Sequence, residues 1–168
     1  MIGRAVAVIE DRAIGHERHN IEPGDAVEKS IAEIVGLVKR AGAQRVAQYE
    51  EPDRFTIQFE LSERLVRFRV SLPALGETPQ RNGRGTALPA GQRRERMLQM
   101  HRQRARALML VIKAKLESVE SGVETFEQAF LPNVVMADGA TVYERISAPI
   151  ALEYQNGAPS ALLIEARS

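Results

Sequence analysis

Along this chain the apolar positions change period, and each change marks an element. Over residues 26–41, Val27, Ile31, Ile34, Val35 and Val38 recur at helical spacing, with Glu28, Lys29, Glu33, Lys39 and Arg40 outside that face. Asp25 is a candidate N-cap and Gly42 a left-handed stop, so a first helix is predicted there. The late Lys39-Arg40 pair suits the negative end of its dipole. The period then falls to two. Residues 45–49 read as a short strand closed by Glu51-Pro52-Asp53. Phe55, Ile57, Phe59 and Leu61 alternate with Thr56, Gln58 and Glu60, and Val66, Phe68, Val70 and Leu72 alternate with Arg67, Arg69 and Ser71. A hairpin with 62–65 as its loop pairs Leu61 with Val66, Glu60 with Arg67, Gln58 with Arg69 and Thr56 with Ser71. One face of this sheet is then apolar and the other polar, with Glu60 as the expected partner of Arg67.

Residues 73–91 break the pattern with three prolines and four glycines, including Arg-Asn-Gly-Arg-Gly at 81–85. A connection of this length without periodicity is functional or disordered, and 73–92 is expected to be disordered in the free protein. Residues 93–122 then read as one long helix, basic in front and apolar behind. Met97, Met100, Leu108, Val111, Ile112 and Val119 cluster on one face. Arg102, Arg106 and Lys113 form a stripe nearly opposite, and Glu117 follows Lys113 by four. Arg104 and Lys115 project into the apolar face, where a charge must pair, snorkel or reach a cleft. Beyond Gly122, a short helix over 123–131 is expected to bury Phe126 and Phe130 and to end at Pro132. Val134–Met136 and Thr141–Tyr143 flank Asp138-Gly139 as a second hairpin. Ser147 is a candidate cap for a last helix with Pro149 in its first turn, ending at Asn156-Gly157. Residues 159–164 form a terminal apolar segment, expected to dock as an edge strand. The predicted fold class is α+β, with an N-terminal helix, a three-stranded antiparallel sheet, a long central helix packed on it, a short helix, a hairpin and a C-terminal helix. Residues 1–24 are a flexible leader to one domain over 25–168.

Composition narrows the function. With 168 residues and 44% hydrophobic content the chain can bury a core, which is mainly aliphatic because only eight residues are Phe or Tyr and none is Trp. The absence of Cys excludes disulfides, thiol catalysis and Cys-ligated metal centres. No secretory signal is visible at the start, and the longest apolar run, 107–112, is too short to span a bilayer. The chain therefore reads as a soluble cytoplasmic protein with no membrane partner.

The net charge of +1 hides an asymmetry. Residues 80–115 hold ten Lys or Arg against the single acid Glu95, hence +9, which leaves −8 for the remainder. Such a segment is either an anion-binding face or a surface neutralised by acids elsewhere in the molecule. The leader carries His16 and His19, three apart and flanked by acids, but no second ligand motif accompanies them, so no metal is assigned. There is no Gly-Lys-Ser/Thr phosphate loop, no strand–GxGxxG–helix unit, no GxSxG elbow and no HExxH. No enzyme activity, cofactor or catalytic residue is assigned.

Arg106–Leu131 (RALMLVIKAKLESVESGVETFEQAFL) resembles a family of short uncharacterised proteins of bacteriophage and prophage genomes. The resemblance extends to 31–42 (IAEIVGLVKRAG), to Val66-Arg67-Phe68, to Leu131-Pro132 with Asp138-Gly139-Ala140-Thr141-Val142, and to Tyr154-x-x-Gly157-x-Pro159. It covers most of 26–163 but neither the leader nor 73–91. It implies a phage-type context and no catalytic residues. The helix–three strands–helix order is shared with double-stranded-RNA-binding domains, but their Gly-Pro-x-His loop is missing, so that function is not carried over.

The residues therefore point to a non-enzymatic nucleic-acid-binding protein of low sequence specificity. Its expected phosphate contacts are Arg93, Arg94, Arg96, Arg102, Arg106 and Lys113 on the long helix and Arg81 and Arg84 in the loop before it. Arg67 and Arg69 extend the contact on the sheet. The competing reading is a protein-interaction module with no nucleic-acid binding, which binds a host or virion protein or self-associates through Met97, Met100 and Leu108.

Overall fold

A computed structural model describes residues 25–159. The leader with His16 and His19, and the apolar segment beyond Pro159, lie outside the described residues. The predicted α+β order is found. Helix α1 (Asp25–Arg40) is followed by strands β1 (Gln44–Glu51), β2 (Arg54–Leu61) and β3 (Arg64–Ser71), then by α2 (Ala90–Glu120), α3 (Phe126–Phe130) and α4 (Val142–Asn156). The strands form one antiparallel meander in the order β1-β2-β3. Helix α1 is described from Asp25, the first described residue, and Gly42 takes the left-handed conformation past its end (φ 91°).

The alternation in β2 and β3 sends Phe55, Ile57, Phe59, Val66 and Phe68 to one face. There they meet Ile34 and Val38 of α1 and Leu108, Met109 and Ile112 of α2. Helix α3 closes one end of this core. Its ring of Phe130 lies edge-on to Phe68 at 6.3 Å and stacks on Phe126 at 5.1 Å, while Phe68 stacks on Phe59 at 6.2 Å. Each such side chain taken out of water contributes about 1.5–3 kcal/mol, so this cluster is the main support of the fold.

Three expectations are corrected. The β2–β3 turn is two residues, Ser62 and Glu63, both at positive φ (50° and 60°), and not the four-residue loop 62–65. Phe59 therefore pairs with Val66, Ile57 with Phe68 and Gln58 with Arg67. The register moves by two, an even number, so every side chain keeps its predicted face. Glu60 then opposes Leu65 and ion-pairs with Arg45 on β1 (3.2 Å), so it is not the partner of Arg67.

The second correction concerns α2. Its buried residues are Ala105, Leu108, Met109 and Ile112, continued by the half-buried Leu116 and Val119. At roughly 100° per residue this face is rotated by about 70° from the predicted one. Val111, expected inside, is 47% exposed. Arg104 and Lys115 consequently sit at the edge of the apolar face and are tied down there. Arg104 donates to the Ser71 backbone carbonyl and, at 2.7 Å, to its hydroxyl. Lys115 donates to the Ala129 carbonyl and lies over the Phe130 ring, 5.8 Å from its centre.

Third, only the first arm of the second hairpin is extended. Val134 bridges to Val66 on the outer edge of β3, and Val135 to Thr141. The chain turns helical at once after Thr141, which caps α4 through a reciprocal pair: the Glu144 N–H donates to the Thr141 hydroxyl, and the Thr141 N–H to the Glu144 carboxylate. Pro149 thus lies inside α4 and not in its first turn, and Ser147 is not the cap. Gly157 ends the helix at φ 65°, as expected.

The connection into α2 includes a short helical turn and a β-bridge. Leu75–Glu77 is a 3-10 turn, Arg81 and Ala87 form a β-bridge, and α2 starts directly after Pro89.

Candidate nucleic-acid interface

Helix α2 has 31 residues, about 46 Å, nearly twice the length of α1. None of residues 90–104 is buried, so its first half runs beyond the part that packs on the sheet. Three side chains brace this overhang against the preceding connection. Arg93 donates to the Leu75 carbonyl (3.0 Å), the His101 Nε2–H to the Pro73 carbonyl (2.8 Å), and Arg104 to Ser71. A carbonyl only accepts, so that contact fixes a proton on Nε2 of His101. None of these three bonds neutralises charge.

The candidate cations divide by partner. Arg102 ion-pairs with Glu95 at 2.7 Å, and Arg93 is half-buried and held by Leu75. Arg81 donates to the Gly85 carbonyl (2.8 Å) but is itself exposed. The side chains of Arg84, Arg94, Arg96, Arg106 and Lys113 have no hydrogen-bond or ion-pair partner among the described residues. Arg102, Arg106 and Lys113 do share one flank of α2, as their spacing predicts. Arg94 and Arg96 lie on other flanks of the overhang, where no sheet covers the helix. Lys113 stands apart from the rest. With Arg40, Glu117 and Glu120 it lines an open cleft of about 760 Å³ floored by Leu37, Leu61, Leu116, Phe126 and Phe130. The expected Lys113–Glu117 ion pair is not among those of the described residues.

The structure does not bring Arg67 and Arg69 to this surface. They project from the face of the sheet opposite α1 and α2, where Glu144 of α4 takes both: Arg67 at 2.7 Å and Arg69 at 3.1 Å. The Arg67 side chain is only 9% exposed and its Nε has no partner. The Thr141 backbone N–H, the Thr141 hydroxyl and the two guanidinium charges hold the Glu144 carboxyl below the usual carboxylate range, against partial desolvation. Both arginines are thus structural. Glu144 itself was legible as the fourth residue of Thr141-x-x-Glu144, a capping-box spacing, but its long-range partners were not.

The charges of α2 run with its dipole and not against it. Its first turn carries no acid and its last turn no base. The positive helix end, worth about half a unit charge, adds to Arg93, Arg94 and Arg96, while Glu117 and Glu120 sit at the negative end. This costs helix stability and concentrates positive potential at one end of the molecule.

Among the described residues no cluster of three or more His, Asp or Glu could hold a metal ion, and no helix is long and apolar enough to cross a membrane. Comparison with protein-family models, curated proteins and solved structures found no match.

Proposed function

We propose that this chain is a non-enzymatic, phage-type nucleic-acid-binding protein that contacts phosphates through the first half of α2 and the loop before it. One observation carries the reading. Of the ten cations in residues 80–115, only Arg102 is ion-paired with an acid among the described residues. Arg45, Arg54, Arg67, Arg69 and Arg145, all outside that segment, are paired. Among the described residues, the acids outside residues 80–115 are therefore not spent on that segment, which supports an external polyanion as the partner of the basic end. Three well-exposed tyrosines, Tyr49, Tyr143 and Tyr154, lie on β1 and α4. Residues 80–115 contain no Phe, Tyr or Trp, which favours backbone contact without sequence reading.

The test compares two variants by fluorescence anisotropy on labelled duplex and single-stranded DNA and RNA. Arg94/Arg96/Arg106→Gln is expected to weaken binding at least tenfold at ~100 mM salt, by removing about three phosphate contacts. Arg67/Arg69→Gln is expected to leave the affinity of the folded protein within about twofold, since Glu144 already holds both side chains. Equal losses in the two variants would overturn this surface assignment.

A second reading has its own observation. Leu110 and Val111 are 48% and 47% exposed side by side on α2. A self-associating protein would use them, and not Leu108, which is 7% exposed in the chain's own core. Apolar pairing persists at ~0.5 M salt, where phosphate contacts are lost, so sedimentation velocity across salt separates the two.

A further inference from the structure

The short hairpin at 81–87 is more built than a linker requires. Arg81 and Ala87 bridge, the Asn82 N–H donates to the Thr86 carbonyl (2.9 Å), and the Leu88 N–H donates to the Gln80 carbonyl (2.8 Å). Across the turn the Gly85 N–H donates to the Asn82 carbonyl (2.9 Å). The Asn82 carboxamide oxygen accepts from the backbone N–H of both Arg84 (3.0 Å) and Thr86 (2.9 Å). Arg81 then closes the loop by donating to Gly85. Every polar group named here turns inward except one. The Arg84 guanidinium, at the tip between Gly83 and Gly85, has no partner among the described residues.

Both flanking glycines leave open space where a Cβ would stand, and Gly85 holds φ 81°, which disfavours any other residue. The tip is thus one arginine between two glycines, with the Asn82 carboxamide and the Arg81 guanidinium held against its backbone. Leu88 and Pro89 join it directly to α2, and the fixed φ of Pro89 limits its swing relative to the basic helix.

We propose that this hairpin is a minor-groove probe, and that the polymer held by the basic end is duplex DNA with a narrow, A·T-rich minor groove. The inference rests on the nucleic-acid reading above. A lone arginine adds little to phosphate binding, which grows with the number of cations. The minor groove of B-form DNA is about 6 Å wide, too narrow for a helix but open to a Gly-Arg-Gly tip. A·T tracts narrow it further and deepen its negative potential, and inserted arginine responds to that potential. The minor groove of RNA duplexes is wide and shallow, so an isolated tip gains no comparable field there.

The test is anisotropy of the full chain on two labelled duplex DNAs of equal length, one with a central AATT tract and one all G·C, at ~100 mM salt. The wild-type protein is expected to prefer the A·T duplex about tenfold. Arg84→Ala is expected to abolish the preference while changing G·C binding by less than about threefold, because one cation of several is lost. Arg84→Lys is expected to keep only part of it, since ammonium holds its water more tightly. Netropsin, which fills the minor groove, is expected to displace the wild-type protein from the A·T duplex down to its G·C affinity. Equal wild-type affinity for both duplexes, or a preference surviving in Arg84→Ala, overturns the probe and leaves the phosphate reading standing. No binding to either duplex at ~50 mM salt overturns the probe, and no binding to single-stranded DNA or to RNA at that salt overturns the phosphate reading as well.

Discussion

Glu144 accepts from the Thr141 backbone N–H, from Arg67 and from Arg69 with one carboxylate, and so joins the start of α4 to the outer face of the sheet. Its replacement leaves Arg67, 9% exposed in its side chain, without a charged acceptor. Glu144→Gln is therefore expected to destabilise the fold by about 1–3 kcal/mol at pH 7, measured by urea unfolding. The sign of the pH dependence follows from its depressed carboxyl. Its stabilisation is complete above the unfolded pKa of about 4.3 and is lost as pH falls through the lower folded value. The gap between wild type and variant should thus narrow between pH 5 and about pH 3; a gap that is constant over that range would contradict the role. At the other end of the sheet, Ser62 and Glu63 occupy left-handed positions that suit Asn and Gly far better. Ser62→Asn/Glu63→Gly is expected to stabilise by about 1 kcal/mol, or roughly 2–4 °C in Tm by thermal scanning. That same residue choice hid the register from the sequence. Without Gly or Asn at the turn, nothing marks a two-residue loop, and only the parity of the alternation preserved the faces. The Arg67–Glu144 pair was also out of reach, because its members stand 77 residues apart.

Helix α2 combines two segments with different tasks. Its second half packs on the sheet through Ala105, Leu108, Met109, Ile112, Leu116 and Val119, while its first half is braced only by Arg93, His101 and Arg104. The sequence shows the length and the charge of this helix, but Met97 and Met100 in the overhang pull the apparent apolar face away from the true one. Ala105, too small to weigh in a hydrophobic pattern, is in fact 3% exposed. Helix α4 was misplaced for a different reason. Thr141, Val142 and Tyr143 favour strands individually, yet the capping box and the Asp138-Gly139 turn before it determine the outcome locally. The charge order of α2 yields a trade-off. Gln92 lies in its first turn, where a carboxylate would favour the dipole. Gln92→Glu is expected to raise stability by about 0.3–1 kcal/mol while lowering nucleic-acid affinity several-fold. A gain in both properties would show that the basic end does not face an anion.

Across the described residues, the acids and bases are partitioned. Ion pairs stitch the β1–β2 turn, the sheet's polar face and the turn before α4, while the end formed by the 81–87 hairpin and the start of α2 keeps its charge. The +9 segment was legible from composition. Whether acids elsewhere cancelled it was not, because that depends on which face of the sheet each arginine occupies. Arg67 and Arg69 lie across the sheet from that segment and are already matched by Glu144. Arg94, Arg96 and Arg106, which have no partner among the described residues, therefore set the expected strength of the phosphate contact.

The salt dependence of wild-type binding to duplex DNA measures that number directly. Titrations by anisotropy between ~50 and ~200 mM salt are expected to give a log–log slope near −3, about 0.9 for each phosphate met by Arg94, Arg96 and Arg106. A slope close to zero, or no binding at ~50 mM salt, would contradict the account and leave the exposed Leu110 and Val111 as the surface to pursue.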